Sequence, residues 1–249
     1  MKARSPSFSI RRKRSKPPRE QFTCSQLVEE LRRLGTRRNV EGMARFGIIA
    51  RKCFGVSKPK LDALARRIGK DHSLALQLWD TRIQDAKILA GMIDDPKLVT
   101  ASQMESWVRD FENWDDCDGT CCHLFAYVSP AWEKAIEWTS REREFQKRAG
   151  FALLAYLACH DKTAPDGKFS RVLAVLLREA HDDRNFVRKA VNWALRNIGK
   201  RNLKLNRAAI RTAGRMRKMD SRSARWIAAD ALRELKSDAV QSRLRRKKV

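Results

Sequence analysis

Nearly every segment between residues 25 and 235 has the apolar spacing of an amphipathic α-helix. In SQLVEELRRLG, Leu27, Leu31 and Leu34 fall on one face, and Gly35 suits the position after a helix end. Alternating runs of β-branched residues, which are typical of strands, are nearly absent. Stops such as DDPK, SPAW and APDGK separate the helical segments. The sequence therefore predicts an all-α fold.

A weak internal repeat indicates which kind of all-α architecture the chain adopts. KRAGFALLAYLA (147–158) can be laid over RKAVNWALRNIG (188–199) at an offset of 41 residues. The latter matches ARWIAADALREL (224–235) through a shared Ala-Leu-Arg at an offset of 37. Repeats of about 40 residues with two helices each are typical of HEAT and armadillo arrays. We therefore predict an α-solenoid of HEAT-like helical repeats. Because the chain has a net charge of +25, the concave face of this solenoid would bind DNA.

The chain is strongly basic, and its charge is concentrated at the ends. It has 54 Lys and Arg against 29 Asp and Glu, for a net charge of +25. Residues 1–20 carry eight basic side chains and one acidic one, and residues 201–249 carry sixteen and four. Nucleic acid is the favoured partner, because each neutralised phosphate releases condensed counterions.

Membrane and export signals are missing from the sequence. The first twenty residues have no apolar signal region, and no apolar run reaches the roughly 18 residues of a membrane span. We also find no long basic amphipathic helix with a bulky apolar face, so a membrane surface suits the charge less well than DNA does. The expected location is cytoplasmic and nucleoid-associated.

Composition divides the chain into three segments. Residues 1–22, rich in Ser, Pro and Arg, are predicted to be a disordered basic tail. That tail would serve as a nucleic-acid arm or as a solubilising leader. Its composition, poor in acids, also resembles that of a transit peptide. Residues 23–238 would form the helical repeat domain, and residues 239–249 a basic C-terminal tail.

The stretch NWDDCDGTCC (113–122) allows a metal site as one interpretation. Cys117 and Cys121 are one helical turn apart, and two further candidate ligands follow. The possible second half, residues 159–160, lacks the paired spacing of structural zinc sites. Small, reduced core residues are the better explanation of the six cysteines, so we expect no metal and no cofactor.

The acids of the same stretch have two further interpretations. Asp115 or Asp116 would cap a helix and favour its positive end. Asp118 lies four residues after Trp114, so both would project from one helix face. Bound phosphates repel a carboxylate, so its use would be to stabilise a cation that forms during a reaction. The alternative, that Asp118 merely pairs with a nearby arginine, is favoured by spacing alone.

Two basic segments bear on this choice. In FQKRAGF, Arg148 stands at a helix start, where its guanidinium could hold a phosphate in a bidentate fork. In KAVNWALR, Trp193 would either lie in the core, the commoner outcome, or emerge to stack on bases or sugars. The cations around it are candidate DNA contacts: Arg188, Lys189 and Arg196.

NWDDCD, FQKRAG and FVRKAVNWALRNIGK together resemble the AlkD family of DNA alkylation repair glycosylases, built from HEAT-like repeats. The resemblance covers about residues 25–235. It implies a catalytic carboxylate at Asp118, active-site tryptophans at Trp114 and Trp193, and a phosphate-binding arginine at Arg148. The chain departs from the family at Asn113, where an aromatic residue is frequent, and in the cysteine-rich run after Asp118.

The resemblance also implies a reaction. Monofunctional enzymes of this family hydrolyse the N-glycosidic bond of cationic N-alkylpurines, such as 7-methylguanine and 3-methyladenine, and are understood to leave the base in the duplex. Such a purine leaves readily, so one carboxylate and two electron-rich indoles would suffice to stabilise the sugar cation. The expected partner is duplex DNA containing alkylated purines, bound by a monomer. The alternative is a non-catalytic HEAT-like nucleic-acid-binding protein.

Overall fold

The computed structural model describes residues 20–246; residues 1–19 and 247–249, both within the predicted tails, lie outside the described residues. Between residues 20 and 246 the chain forms fourteen α-helices and no strand, which confirms the all-α prediction. The helices are α1 (Cys24–Leu34), α2 (Arg37–Arg45), α3 (Lys58–Ile68), α4 (His72–Asp80), α5 (Gln84–Ile93), α6 (Ala101–Arg109), α7 (Trp114–His123), α8 (Ala131–Trp138), α9 (Glu144–His160), α10 (Asp166–Glu179), α11 (Asn185–Gly199), α12 (Leu203–Arg217), α13 (Arg222–Leu235) and α14 (Asp238–Arg246). A 3-10 turn, Phe125–Tyr127, separates α7 from α8.

Local sequence sets many of the helix starts. Thr23 and Asn113 each form a capping box. In it, the side chain at the third helical position accepts a hydrogen bond from the backbone amide of the cap residue. The side chains of Asp71 and Ser221 each accept a hydrogen bond from the backbone amide three residues later. These bonds satisfy amide groups that a helix start otherwise leaves without a partner.

The helices from α4 onward form two layers. Helices α5, α7, α9, α11 and α13 pack side by side in chain order, and we call them the second-helix layer. On its other side, α4 packs on α5, α8 on α9, and α12 on both α11 and α13. Stacked helix pairs that contact only their neighbours are the arrangement of a HEAT-like array. The predicted α-solenoid is confirmed.

The sequence repeat corresponds to equivalent helices of this array. Segments 147–158, 188–199 and 224–235 fall within α9, α11 and α13, three successive members of the second-helix layer. Each segment turns small and aliphatic side chains into the core, where alanines allow close helix packing. The weak similarity therefore reflects one packing position used three times.

One glycine fixes the central helix of the layer. A Cβ atom at Gly150 of α9 would lie 2.7 Å from the Thr139 nitrogen and 2.8 Å from the Ala135 oxygen, both backbone atoms at α8. Only hydrogen fits there, so α9 lies directly on α8. The residues just before this crossing, including Arg148, are consequently buried.

Helical packing continues into the segment predicted as a C-terminal tail. Helix α14 buries Val240 and Leu244, which lie four residues apart on one face. At the other end of the described chain, Glu20 pairs with Arg67 at 2.6 Å. Within residues 20–246 no helix is both long and apolar enough to cross a bilayer.

Candidate functional site

The start of α7 gives each of its acids a different partner. Asn113 is the N-cap, and Asp116 completes its capping box through the Asn113 backbone amide at 3.2 Å. The other oxygen of Asp116 lies 2.5 Å from Lys87 Nζ in a buried ion pair between α5 and α7. Asp115 accepts a hydrogen bond from Gln84 at 3.2 Å. The N-cap is therefore Asn113 and not Asp115 or Asp116, as the sequence had suggested. The two acids lie in the first turn of α7 and hold it on α5.

Asp118, one turn further along α7, is held by an arginine from α9. Arg148 Nε donates to Asp118 Oδ1 at 2.9 Å, and Nη2 donates to Oδ2 at 2.6 Å. A third donor, Nη1, reaches the Phe186 carbonyl of α11 at 2.7 Å. The side chain of Asp118 is 16% exposed and that of Arg148 is 8% exposed. The arginine pairing considered for Asp118 is thus present, and its partner is Arg148.

Burial and charge act in opposite directions on this pair. Burial raises the pKa of the Asp118 carboxyl, and the charge and hydrogen bonds of Arg148 only partly reverse the rise. Desolvation lowers the pKa of Arg148, but the Asp118 charge outweighs it, so the guanidinium pKa is raised. The fork fixes the carboxylate plane and leaves further lone pairs on both oxygens. A shielded carboxylate of this kind interacts with a nearby cation more strongly than one in water.

Trp114, at the start of α7, faces the segment after α2. Its indole Nε1 donates to the Phe46 carbonyl at 2.9 Å. The ring also borders a cleft of about 620 Å³ between α2 and α7, whose lining includes Met43 and Asp115 but neither Asp118 nor Arg148. Trp114 and Asp118 therefore lie one turn apart on α7, with the indole directed towards α2.

Trp193 of α11 is half-buried, between the two alternatives that its sequence position left open. Its ring packs edge-on against Tyr156 of α9, with centroids 4.8 Å apart. Burial, followed by the neighbouring Cys122 and Asp118, raises the pKa of Tyr156. Tyr156 belongs to α9, which packs against both α7 and α11.

Sequence reasoning missed Tyr156, although a signal was present. It lies eight residues after Arg148, two helical turns along the same face of α9. It also missed Phe186, whose carbonyl holds Arg148 and whose ring lies 5.4 Å from that of Phe145. Nothing local in the sequence marks Phe186, because its contact depends on how α11 begins beside α9.

The cations of α11 have different surroundings. Lys189 is exposed. The guanidinium of Arg188 lies 5.0 Å from the ring centroid of Trp226 on α13. Arg196 pairs with Glu234 of α13 at 2.5 Å. Helix α11 thus presents the free charge of Lys189, while Arg196 shares its charge with an acid, and their contacts with DNA remain predictions.

The cysteines next to Asp118 pack in the core. Cys117 and Cys121 are fully buried, and their sulfurs approach the carbonyls of Phe145 and Ala149 at 3.6 and 3.7 Å. Burial raises the pKa of Cys117 and of Cys122, which disfavours their thiolates. Among the residues that the structure describes, no group of three or more His, Cys, Asp or Glu is placed to hold a metal ion.

The family of this chain follows from a sequence comparison that covers most of its length. A family model described as DNA alkylation repair enzyme matches residues 27–235. The chain belongs to the DNA alkylation repair enzyme family. The match runs from within α1 to the end of α13 and includes the three helices that hold Asp118, Arg148 and Trp193.

A solved structure extends the comparison to the fold of this DNA alkylation repair family member. It comes from a family of proteins described as related to the HEAT-like repeat DNA glycosylases, with affinity for branched DNA structures. The two chains are 19% identical and superpose with a TM-score of 0.74, over 90% of this chain and 96% of the other. The likeness establishes a HEAT-like repeat fold. No curated protein matches the chain by sequence.

Proposed function

We propose that this member of the DNA alkylation repair enzyme family is an AlkD-like glycosylase that hydrolyses the N-glycosidic bond of cationic N-alkylpurines in duplex DNA, without flipping the base. One observation carries the proposal: the Asp118 carboxylate is held by an arginine fork in the second-helix layer of a protein of net charge +25. A carboxylate opposes phosphate binding, so its use lies in a step that creates positive charge.

The reaction needs little besides that charge. When the bond between C1′ and the purine breaks, the base takes the electron pair and leaves as a neutral purine, and the deoxyribose becomes an oxocarbenium-like cation. Asp118 would stabilise this cation and orient a water molecule. The water oxygen would then bond to C1′ and lose a proton to solvent. The substrate is already cationic, so no general acid is required.

Arg148 would act first as a positioning residue. Its Nε and Nη2 groups hold the carboxylate, so a contact with a DNA phosphate would use a remaining N–H of the guanidinium. Three cations of α11 would contact the DNA phosphates beside Arg148: Lys189, Arg188 and Arg196. A monomer would present all of these groups to one duplex.

The aromatic residues would border the sugar. Trp114 lies one turn before Asp118 on α7, and Trp193 of α11 packs on Tyr156 of α9, the helix between α7 and α11. Their electron-rich faces favour a nearby cation. The cleft beside Trp114 is not lined by Asp118, which supports a lesion that is not flipped out of the duplex during the reaction.

Release of free 7-methylguanine from methylated duplex DNA tests the proposal. We expect release by the wild type and a loss of at least about 100-fold in Asp118→Asn, with DNA binding retained. Glu133→Gln, a change of an exposed acid on α8, is the matched control and should keep full activity. Wild-type protein in excess that binds DNA but releases no purine would refute the glycosylase.

A non-catalytic DNA-binding protein is the second candidate. Two observations favour it: Arg148 engages both oxygens of Asp118, and the solved relative is described by its affinity for branched DNA. In that case Asp118→Asn would bind DNA as tightly as the wild type or more tightly, because a negative charge is removed. A four-way junction compared with a duplex of equal length would then show the preferred partner.

A further inference from the structure

The turn after α2 places two large apolar side chains in solvent. Phe46 is 74% exposed and Ile49 is 73% exposed, more than any other large hydrophobic residue between positions 20 and 246. They lie three residues apart at the start of the connection from α2 to α3. We call residues 46–49 the apolar tip. Leaving such side chains in water is unfavourable, and in a folded protein a paired exposure of this kind marks an interaction surface.

The backbone of the apolar tip is held in a tight turn. The amides of Phe46 and Ile48 both donate to the Met43 carbonyl, at 3.0 and 3.1 Å, and the Gly47 amide donates to the Ala44 carbonyl at 2.9 Å. Gly47 has a φ of +77°, a conformation that other residues rarely adopt. The turn therefore presents Phe46 and Ile49 from a fixed backbone.

The apolar tip contacts the proposed active site on two sides. The Phe46 carbonyl accepts the Trp114 indole N–H at 2.9 Å. A Cβ atom at Gly47 would lie 3.1 Å from the Phe186 ring, and the Phe186 carbonyl accepts a hydrogen bond from Arg148. The contacts run from Asp118 through Arg148 and Phe186 to the tip. The apolar tip therefore adjoins Trp114 and the residue that holds Arg148.

Cations flank the apolar tip in sequence. Arg45 precedes it, Arg51 and Lys52 follow it, and all three are exposed, with Arg51 3.7 Å from Glu112. Arg38, also exposed, lines the adjacent cleft together with the acids Glu41 and Asp115. An apolar protein surface would gain little from these flanking cations. A duplex has both features that the tip requires, an apolar base stack between two rows of phosphates.

We propose that Phe46 and Ile49 form a wedge that enters the base stack of duplex DNA next to the lesion. This rests on the proposed function, because the tip contacts Trp114, a residue of the proposed site, and Phe186, which holds Arg148. The wedge would unstack a single base step without extruding a base, while Arg45, Arg51 and Lys52 hold the flanking phosphates. Apolar side chains inserted between base steps unstack them and bend the duplex.

The test uses full-length protein and a duplex that carries 2-aminopurine, whose fluorescence rises when it loses its stacking partners. Probes are placed at successive steps on either side of a single 7-methylguanine. We expect wild-type protein to raise the fluorescence at one or two adjacent steps. Phe46→Ala/Ile49→Ala should abolish the rise while binding DNA with the same salt dependence. Leu98→Ala, which shortens a side chain that is 55% exposed in the connection between α5 and α6, should behave as wild type.

The outcomes separate the wedge from the glycosylase. If wild-type protein releases 7-methylguanine but the fluorescence rise is missing, or persists in the double variant, the wedge is refuted and the glycosylase stands. If wild-type protein binds no DNA, both proposals fail. Dimers in sedimentation that the double variant abolishes would assign the tip to a second copy of the chain and would also refute the wedge. Both side chains are exposed, so an unchanged melting temperature is the folding control for the variants.

Discussion

At the scale of single residues, the Asp118–Arg148 pair sets how much the site contributes to stability. Both side chains are largely buried, so removal of one partner leaves a charge without compensation. Arg148→Met is expected to lower the free energy of unfolding by about 3–5 kcal/mol. Urea denaturation of this variant and of the wild type measures the loss.

A double variant separates the cost of an unpaired buried charge from the cost of altered packing. In Arg148→Met/Asp118→Leu no buried charge remains, so this protein should be more stable than Arg148→Met alone. A loss of less than about 1 kcal/mol in the single variant would contradict the expectation, because that is the contribution of a pair that water screens.

The residue types at the site could be predicted from the sequence, but their contacts could not. Trp114 and Asp118 share a face of α7 because helical spacing dictates it. The fork between Asp118 and Arg148 joins residues thirty positions apart, and it depends on how closely α7 and α9 pack. The spacing argument for an arginine partner was sound, but only the fold identifies Arg148 as that partner.

At the scale of helices, substitutions of two glycines are expected to change the stability of the protein in opposite directions. At Gly150 an added methyl group would meet backbone atoms of α8 at 2.7 to 2.9 Å, and backbone does not yield cheaply. Gly150→Ala should therefore destabilise the protein by about 1–3 kcal/mol. At Gly214, inside α12, nothing lies within 4 Å of an added Cβ, so Gly214→Ala should stabilise it by about 0.5–1 kcal/mol.

Thermal melting of the two variants checks this contrast. Because both substitutions add one methyl group inside a helix, propensity alone would raise both melting temperatures. A rise for Gly150→Ala would show that α8 and α9 are not in the close contact described, whereas a fall for Gly214→Ala would show an obstruction at α12.

An ion cluster at the junction of α9, α10 and α11 predicts how stability depends on pH. Lys147 pairs with Glu179 at 2.7 Å and with Asp182 at 2.9 Å, and Arg184 pairs with Asp182 at 2.5 Å. Burial raises the pKa of Asp182, but the hydrogen bonds from Arg184 and Lys147 outweigh it and lower the pKa to about 2. The unfolded chain, with a pKa near the ordinary 3.8, takes up a proton that the folded chain refuses.

The sign of the effect follows from that difference. The stabilisation is complete above about pH 4 and disappears as the pH falls towards 2, at a cost of up to about 2 kcal/mol, less any screening by water. Urea midpoints measured between pH 5 and pH 2 should fall less steeply for Asp182→Asn than for the wild type. Equal slopes would mean that Asp182 titrates alike in the folded and unfolded chains.

The helices themselves were the most predictable level of the structure. Apolar periodicity predicted that most of the chain between residues 25 and 235 is helical, and the repeat of about 40 residues predicted that the helices stack. The last helix was not predicted, because five cations among residues 239–249 obscured the two apolar positions, Val240 and Leu244, that α14 buries. The exposure of Phe46 was also not predicted, because contacts with α7 and α11 set the position of the turn that carries it.

At the scale of the whole molecule, net charge overstates the number of cations that are free to bind DNA. Arg196 and Lys200 both pair with Glu234, and Arg184 pairs with Asp182. Lys189 on α11 is exposed in the same layer as Asp118. Because affinity for DNA depends on the phosphates that are neutralised, the position of a cation matters more than the total charge.

Two lysines that contribute equally to the net charge should therefore differ in their effect on DNA binding. Lys189→Gln should reduce the slope of log K against log salt concentration by about 0.9, the value for one phosphate contact on a duplex. Lys97→Gln, a change of an exposed lysine between α5 and α6, should leave the slope unchanged. Fluorescence anisotropy of a labelled duplex, titrated at several salt concentrations, measures both. Equal slopes for the two variants would show that net charge governs binding. That result would contradict the assignment of the second-helix layer as the DNA-binding surface.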